Sequence, residues 1–273
     1  MKIQSISAVY FSATGNTEKV VRTTAEYISH EIGAPVVCDD FTLPQERSAR
    51  REYTDKELVV FGVPTYAGRI PNKILPFVKT LFKGNNTPAV IITTFGNRAY
   101  ENSLSELKYE LSENGFIPLA AGAIACQHSF VDIGLGRPDE EDDRLLRFLA
   151  SQACRKLREA KEIPESVEVK GELKPEKYYT PTGFDGKPVN FLKAKPVTDK
   201  ALCDNCGICA EVCPLGSIDS SDPSNVPGIC IKCHACVKKC PRHAKYFNDE
   251  AMLSHIRMIE QSCQRRALTE IFY

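Results

Sequence analysis

The 273-residue sequence lacks an excess of charge of either sign, with 35 basic side chains against 35 acidic ones. The balance also holds locally: 19 basic against 20 acidic residues up to position 160, and 16 against 15 after it. Neither half carries the positive field that nucleic acid or an anionic membrane selects, so neither is expected as a partner. No apolar run reaches the roughly 20 residues of a membrane span. The start, M-K-I-Q-S-I-S-A-V-Y-F, alternates apolar with polar residues and no small-residue cleavage site follows, so it does not read as a signal peptide. A cytoplasmic chain is the resulting expectation. Also missing are G-x-x-x-x-G-K-[ST] and G-x-G-x-x-G, which removes the usual nucleoside-triphosphate and dinucleotide loops. No set of general acid, base and nucleophile stands out, and no catalytic residue is assigned.

What is present begins with alternation. Strand-like runs occur at 2–11, 35–41, 57–63, 89–95 and 119–125, and helical patterns at 17–32, 71–82, 101–114 and 139–161. Val21, Ala25, Ile28 and Ile32 share one face of the first helix, and Gly33 follows as its stop. Leu104, Leu107 and Leu111 repeat at helical spacing before Gly115, and the last helix opens on Asp139, Glu140, Glu141 and Asp142, where the dipole favours acids. Five strands interleaved with helices predict a doubly wound parallel α/β sheet over 1–161. Residues 162–196, with Pro164, Pro175, Pro181, Pro188 and Pro196, read as a linker. Its Tyr178, Tyr179, Phe184 and Phe191 predict that it packs on something. From 250 to 273 an amphipathic helix, with Met252, Leu253, Ile256, Ile259 and Cys263 on its apolar face, is expected to dock on one of two domains.

Twelve cysteines are present, and eight lie between 203 and 240. Crowding of this kind in an otherwise ordinary chain points to metal and not to a disulfide scaffold. C-D-N-C-G-I-C-A-E-V-C-P returns 27 residues later as C-I-K-C-H-A-C-V-K-K-C-P, both copies having the spacing C-x2-C-x2-C-x3-C-P. Three thiolates three residues apart fit a short loop wrapped around one corner region of an iron-sulfur cubane, and the proline turns the chain so that the fourth cysteine can leave for a different cluster. Two zinc knuckles would leave Cys209 and Cys236 without a role. Residues 197–249 resemble a bacterial-type ferredoxin with two 4Fe-4S clusters. The resemblance implies Cys203, Cys206, Cys209 and Cys240 as ligands of cluster I, and Cys230, Cys233, Cys236 and Cys213 as ligands of cluster II. His234 and His243 lie beside ligands, but the spacing does not require them, and they are expected at the surface. Cys38, Cys154 and Cys263 are read as buried thiols, and Lys232, Lys238, Lys239 and Arg242 as a solvated face.

Between the first strand and helix stand Ser12, Ala13, Thr14, Gly15, Asn16 and Thr17. Asn16 or Thr17 is a plausible helix N-cap. The same stretch offers hydroxyls, free N-H groups and a helix N-terminus to one terminal phosphate. It resembles the phosphate loop of flavodoxins, T/S-x-T-G-x-T, which holds FMN. That resemblance covers 1–160 and implies two ring-binding loops, Pro64-Thr65-Tyr66-Ala67-Gly68 and Thr94-Phe95-Gly96-Asn97 with Tyr100. Tyr100 matches the flavin-stacking tyrosine and Tyr66 is the candidate for the other face, each with ordinary packing as its plainer alternative. No tryptophan exists to take the place it has in many flavodoxins. Cys126, Gln127 and His128 follow the fifth strand at the same edge, read chiefly as loop lining, with a flavin or interdomain role as the minor alternative.

The resemblances together imply a flavodoxin-ferredoxin fusion: an electron carrier with FMN and two 4Fe-4S clusters, connecting two-electron and one-electron redox partner proteins in anaerobic metabolism. Two alternatives stand beside it. One is an FMN-dependent reductase of a quinone, nicotinamide or other small substrate, which would need an open pocket near Arg69, Arg98 and His128. The other is a zinc-binding interaction module without flavin. The sequence leaves the oligomeric state open.

Overall fold

The computed structural model describes residues 2–160 and 165–273. Its centre is a parallel sheet of β1 (Ser5–Tyr10), β2 (Val36–Asp40), β4 (Glu57–Pro64), β6 (Thr87–Phe95) and β7 (Phe116–Ala125), in the order β2-β1-β4-β6-β7. This is the doubly wound, flavodoxin-like strand order. The predicted strands are all there, and a sixth was not foreseen: β10 (Glu270–Phe272) adds antiparallel to β7. A short parallel pair, β3 (Arg51–Tyr53) and β5 (Phe82–Gly84), lies beside the sheet.

Both faces of the sheet are covered, as parallel sheets require. Along β4 the side chains alternate: Leu58 and Val60 join the cluster under α1 (Asn16–Ile32) and α4 (Glu140–Glu159), while Val59, Phe61 and Val63 join the opposite one. That second face is covered by α2 (Leu75–Thr80) and α3 (Ser103–Glu113), through Val78, Leu104, Leu107 and Leu111. α1 lies close on β4 because Gly62 has no side chain; a Cβ there would run into Val21. The predicted helix at 71–82 is shorter, because Phe82 leaves it for β5. Lys161, the expected end of α4, and Pro164 lie outside the described residues.

The linker packs as expected. Val167 is buried in the α3-side core, its N-H bonded to the Pro118 carbonyl. Tyr178 donates to the Ile70 carbonyl (2.9 Å), and the Tyr179 N-H to Ala67 (2.9 Å). The cysteine-rich segment then folds between β8 (Val197–Thr198) and β9 (Lys245–Tyr246), with α5 (Ile208–Glu211) and α6 (Ala235–Lys238) inside the two repeats. Finally α7 (Glu250–Ser262), capped by Asp249, packs Met252 against Ala194 and Phe247, and Ile259 against Val131 and Ile133. It therefore braces both domains and not one, and ends at Ser262, short of the 273 expected. Among the described residues no helix is long and apolar enough to cross a membrane.

Candidate functional site

The two cysteine repeats adopt the same backbone. Each places left-handed residues at three matching positions: Asn205, Gly207 and Gly216 in the first copy, Lys232, His234 and His243 in the second. The turns aim backbone N-H groups at sulfur, Ser217 to Cys213 Sγ and Ala244 to Cys240 Sγ, both 3.3 Å. The fold thereby sorts the eight thiols into two sets. Cys213, Cys230, Cys233 and Cys236 line one cavity, and Cys203, Cys206, Cys209 and Cys240 another. The thiols ring these volumes instead of meeting at a point; among the described residues no three His, Cys, Asp or Glu groups converge to hold a single ion. All-thiol donor sets around such cavities suit cubane clusters, whose corners need four separated thiolates. The set of Cys203, Cys206, Cys209 and Cys240 is nearer solvent through Cys206, which is exposed; in the other set no thiol is more than half-exposed, and Cys233 and Cys236 are buried.

At the carboxyl edge of the sheet, the first loop wraps onto α1 without a side-chain cap: Gly15 is the N-cap residue, at φ 95°. Neither Asn16 nor Thr17 caps the helix. Asn16 Nδ2 donates to the Gln127 carbonyl (2.9 Å), and Thr17 Oγ1 shares a hydrogen bond with Thr94 Oγ1 (2.7 Å). Ser12 Oγ accepts from the Glu18 N-H at 3.0 Å. Thr14, Gly15 and Asn16 are half-buried around the open end of the helix, a donor-rich cradle that fits one phosphate. Hydroxyls also join the neighbouring loop, since the Thr65 N-H donates to Thr94 O (2.7 Å) and Thr65 Oγ1 bonds Thr93 Oγ1 (2.8 Å).

The structure brings Pro64, Thr65 and Tyr66 to this edge, and gives two other predicted residues partners within the chain. Tyr100 packs on Phe95 (5.5 Å) and donates to Glu270 of β10 (3.0 Å). Asn97 is buried, and its amide donates to the carbonyls of Cys263 (2.9 Å) and Arg265 (2.7 Å). Ala67 and Gly68 make a left-handed turn, the first exposed and the second buried against Glu101. At Gly96 a Cβ would run into the His128 ring.

The cysteine domain docks on these loops. Cys233 and Ala235 belong to the same apolar cluster as Phe11 and Ala13, with Tyr66 against it. Burial of the Tyr66 hydroxyl, with Cys233 and Cys230 close by, holds its pKa well above the usual tyrosine range. On the other flank His128 meets Phe130 edge-on (4.3 Å), Phe130 stacks on His234 (4.8 Å), and His234 on Phe247 (4.6 Å). Burial, with His234, Arg98 and Lys238 nearby, pushes His128 down to about 3. Thus His128 is an interdomain residue, and His234 is buried, contrary to the surface position expected; only His243 is exposed. Cys126 is inert, its thiol pushed up to about 12 by burial. Cys38 is exposed on the edge strand β2 and Cys263 half-exposed; of the three thiols expected buried, Cys154 is.

Arg47 carries no local signal and was not anticipated. It is buried, donates to the carbonyls of Phe41, Thr42 and Pro214, and lies over the rings of Phe77 (4.9 Å) and Phe11 (5.6 Å). Tyr179 was expected only to pack; its ring lies against the Arg98 guanidinium (4.0 Å), which also pairs with Glu101.

Fold and cysteine cavities thus define a chain that joins a doubly wound domain of flavodoxin-like order to an iron-sulfur module. Residues 196–219 match the Fer4 family, a 4Fe-4S binding domain. No curated protein matches the chain. Among solved structures, a flavodoxin of Streptococcus pneumonia TIGR4 is similar at 19% identity and a TM-score of 0.39, over 55% of this chain and 98% of that one. Flavodoxin 2 of Bacillus cereus is similar at 16% identity and a TM-score of 0.40, over 56% and 99%. The rubredoxin oxygen:oxidoreductase of Desulfovibrio gigas is similar at 20% identity and a TM-score of 0.37, over 57% of this chain but 37% of that one.

Proposed function

We propose that the chain is an electron carrier holding FMN at the first loop and one 4Fe-4S cluster in each cysteine cavity, linking two-electron and one-electron redox proteins. The observation that carries it is the contact between the Cys213, Cys230, Cys233 and Cys236 cavity and the Tyr66 loop, which makes cluster II the neighbour of the flavin. Cluster I, with Cys206 exposed, is then the outlet toward a partner. Flavin exchanges two electrons in single steps and each cluster one, which is the chemistry these groups supply when bound. The chain's own residues hold them together: the loop before α1 cradles the phosphate, the eight cysteines supply the thiolates, and the described linker residues with α7 brace the two.

A substrate-reducing enzyme would need an open pocket at Arg69, Arg98 and His128. All three are engaged: Arg69 with Glu106 and the Tyr178 ring, Arg98 with Glu101 and Tyr179, His128 under Gly96 and against Phe130. This coverage favours the carrier. The test is anaerobic purification with FMN, iron, acid-labile sulfide and zinc measured on one sample. About one FMN and eight iron per chain are expected; zinc without sulfide would overturn the reading.

A further inference from the structure

His234 combines four features that ordinary packing does not require together. Its ring is clamped on both faces, by Phe130 at 4.8 Å and 29° and by Phe247 at 4.6 Å and 25°. Only the ring edge is left for polar contacts, and on that edge Nε2 is buried without a hydrogen-bond partner, alone in this among the described residues. An unpartnered buried nitrogen is costly, because it gives up its hydrogen bond to water without a replacement. The backbone adds to the cost, because His234 sits at φ 62°, in the left-handed region that strains a side chain. The matching position of the first repeat is Gly207, at φ 79°, which adopts that conformation freely. Lastly, His234 lines the cavity of Cys213, Cys230, Cys233 and Cys236.

A residue retained against strain and desolvation implies a group that meets its nitrogen. Four thiols already line the cavity, so the imidazole is not needed as a ligand, and the cavity that His234 lines with them is rich in sulfur. We propose that His234 Nε2-H donates a hydrogen bond to a sulfur of cluster II and so positions that cluster's potential above the value it would otherwise have. A donor stabilises the more negative, reduced cluster, since hydrogen bonds to sulfur are among the determinants of cluster potential. Cluster I, with Gly207 at the same place, has no such side chain. The two clusters are thereby made unequal, and the one beside the Tyr66 loop becomes the better acceptor for electrons leaving the flavin. The inference rests on the cluster reading of the proposed function.

The test is a redox titration of the full chain, purified without oxygen, following both clusters by electron paramagnetic resonance and FMN by absorbance, with iron and sulfide counted on each sample. Cluster II is assigned as the signal retained in a Cys206→Ser chain. His234→Phe keeps the ring stack and removes the donor; His234→Gly removes both but relieves the backbone. In both variants cluster II is expected to shift to a more negative potential, with cluster I and FMN unmoved and iron at the parent level. A cluster II potential equal to the parent's in both variants overturns the proposal while leaving the cluster reading intact. A shift of FMN in place of cluster II would assign the nitrogen to the flavin and overturn it equally. Loss of iron from both variants would reduce His234 to a packing element, and a parent chain without iron and sulfide would sink both readings.

Discussion

Arg47 Nη2 donates to the carbonyl of Pro214 at 3.0 Å, joining the loop after β2 to the residue next to Cys213 across 167 positions of sequence. The same guanidinium holds Phe41 O and Thr42 O, and Thr42 Oγ1 in turn accepts the Ser12 N-H at 2.7 Å. One cation thus organises both the phosphate-loop edge and the docking of the cysteine domain. Arg47→Met keeps the apolar stem but leaves three carbonyls without their donor. It is expected to lower unfolding stability by about 2–4 kcal/mol and to raise proteolysis at the domain junction. Denaturation midpoints equal to the parent's would remove Arg47 from the interface argument.

Thr14 stands half-buried in the uncapped turn before α1. If the turn holds a phosphate, Thr14→Val removes one hydroxyl donor and weakens FMN roughly tenfold, the worth of a hydrogen bond to a charged group, with iron content unchanged. FMN titration of the flavin-stripped chain reads this directly. Unaltered affinity would return the loop to the role of a plain helix start.

Tyr179 covers the turn at Ala67 from the linker side. Tyr179→Ala retains the backbone bond to Ala67 O and removes the ring from Arg98, at a cost of about 1 kcal/mol. The expected consequence is access: flavin fluorescence becomes more sensitive to iodide, and reduced flavin reoxidises faster in air. An unchanged response to both would mean that the linker does not shield the flavin and would reopen the reductase reading.

His128 is packed against Gly96 and Phe130, with Arg98, His234, Lys238 and His255 the charged or titratable groups that lower its pKa after burial itself. Its folded value of about 3 lies below the ordinary 6.5, so protonation favours the unfolded chain. Stability from this residue is complete above pH 6.5 and is lost as pH falls toward 3. At pH 5.5 the loss is at most on the order of 1 kcal/mol, because the residue is partly accessible. Unfolding at pH 7.5 and 5.5 should therefore differ less in His128→Phe than in the parent, and equal differences would count against a neutral, buried imidazole.

The sheet was legible because buried parallel strands are continuous apolar runs, such as Ala89 to Phe95, and because Gly33 and Gly115 punctuate the helices. The iron-sulfur module was legible because its cysteines recur at a fixed spacing, and residues 196–219 match a 4Fe-4S binding family. What stayed hidden depends on distant partners. Glu270, Ile271 and Phe272 form a strand only because β7 offers them an edge. His234 looked like a surface residue beside a ligand because the rings that bury it lie at Phe130 and Phe247. The loop position of Asn97 beside Gly96 gave no sign that its amide serves the C-terminal residues Cys263 and Arg265.

That arm supplies the last prediction. Asn97 donates to Cys263 O and Arg265 O and accepts from the Ala267 N-H at 3.1 Å, while Arg137 braces the same stretch through Ala267 O. Beyond it, β10 pairs with β7 over only Glu270–Phe272, too short to hold by itself. Asn97→Ala is expected to cost about 2–3 kcal/mol and to let residues 264–272 exchange backbone hydrogens much faster, with exchange in β1 and β4 unaltered. Because Glu270 also takes the Tyr100 hydroxyl, release of the strand should raise the fluorescence change at Tyr100 in step with exchange. Protection of 264–272 at the parent level would place the anchor on Arg137 alone, where Arg137→Met should then produce the whole effect.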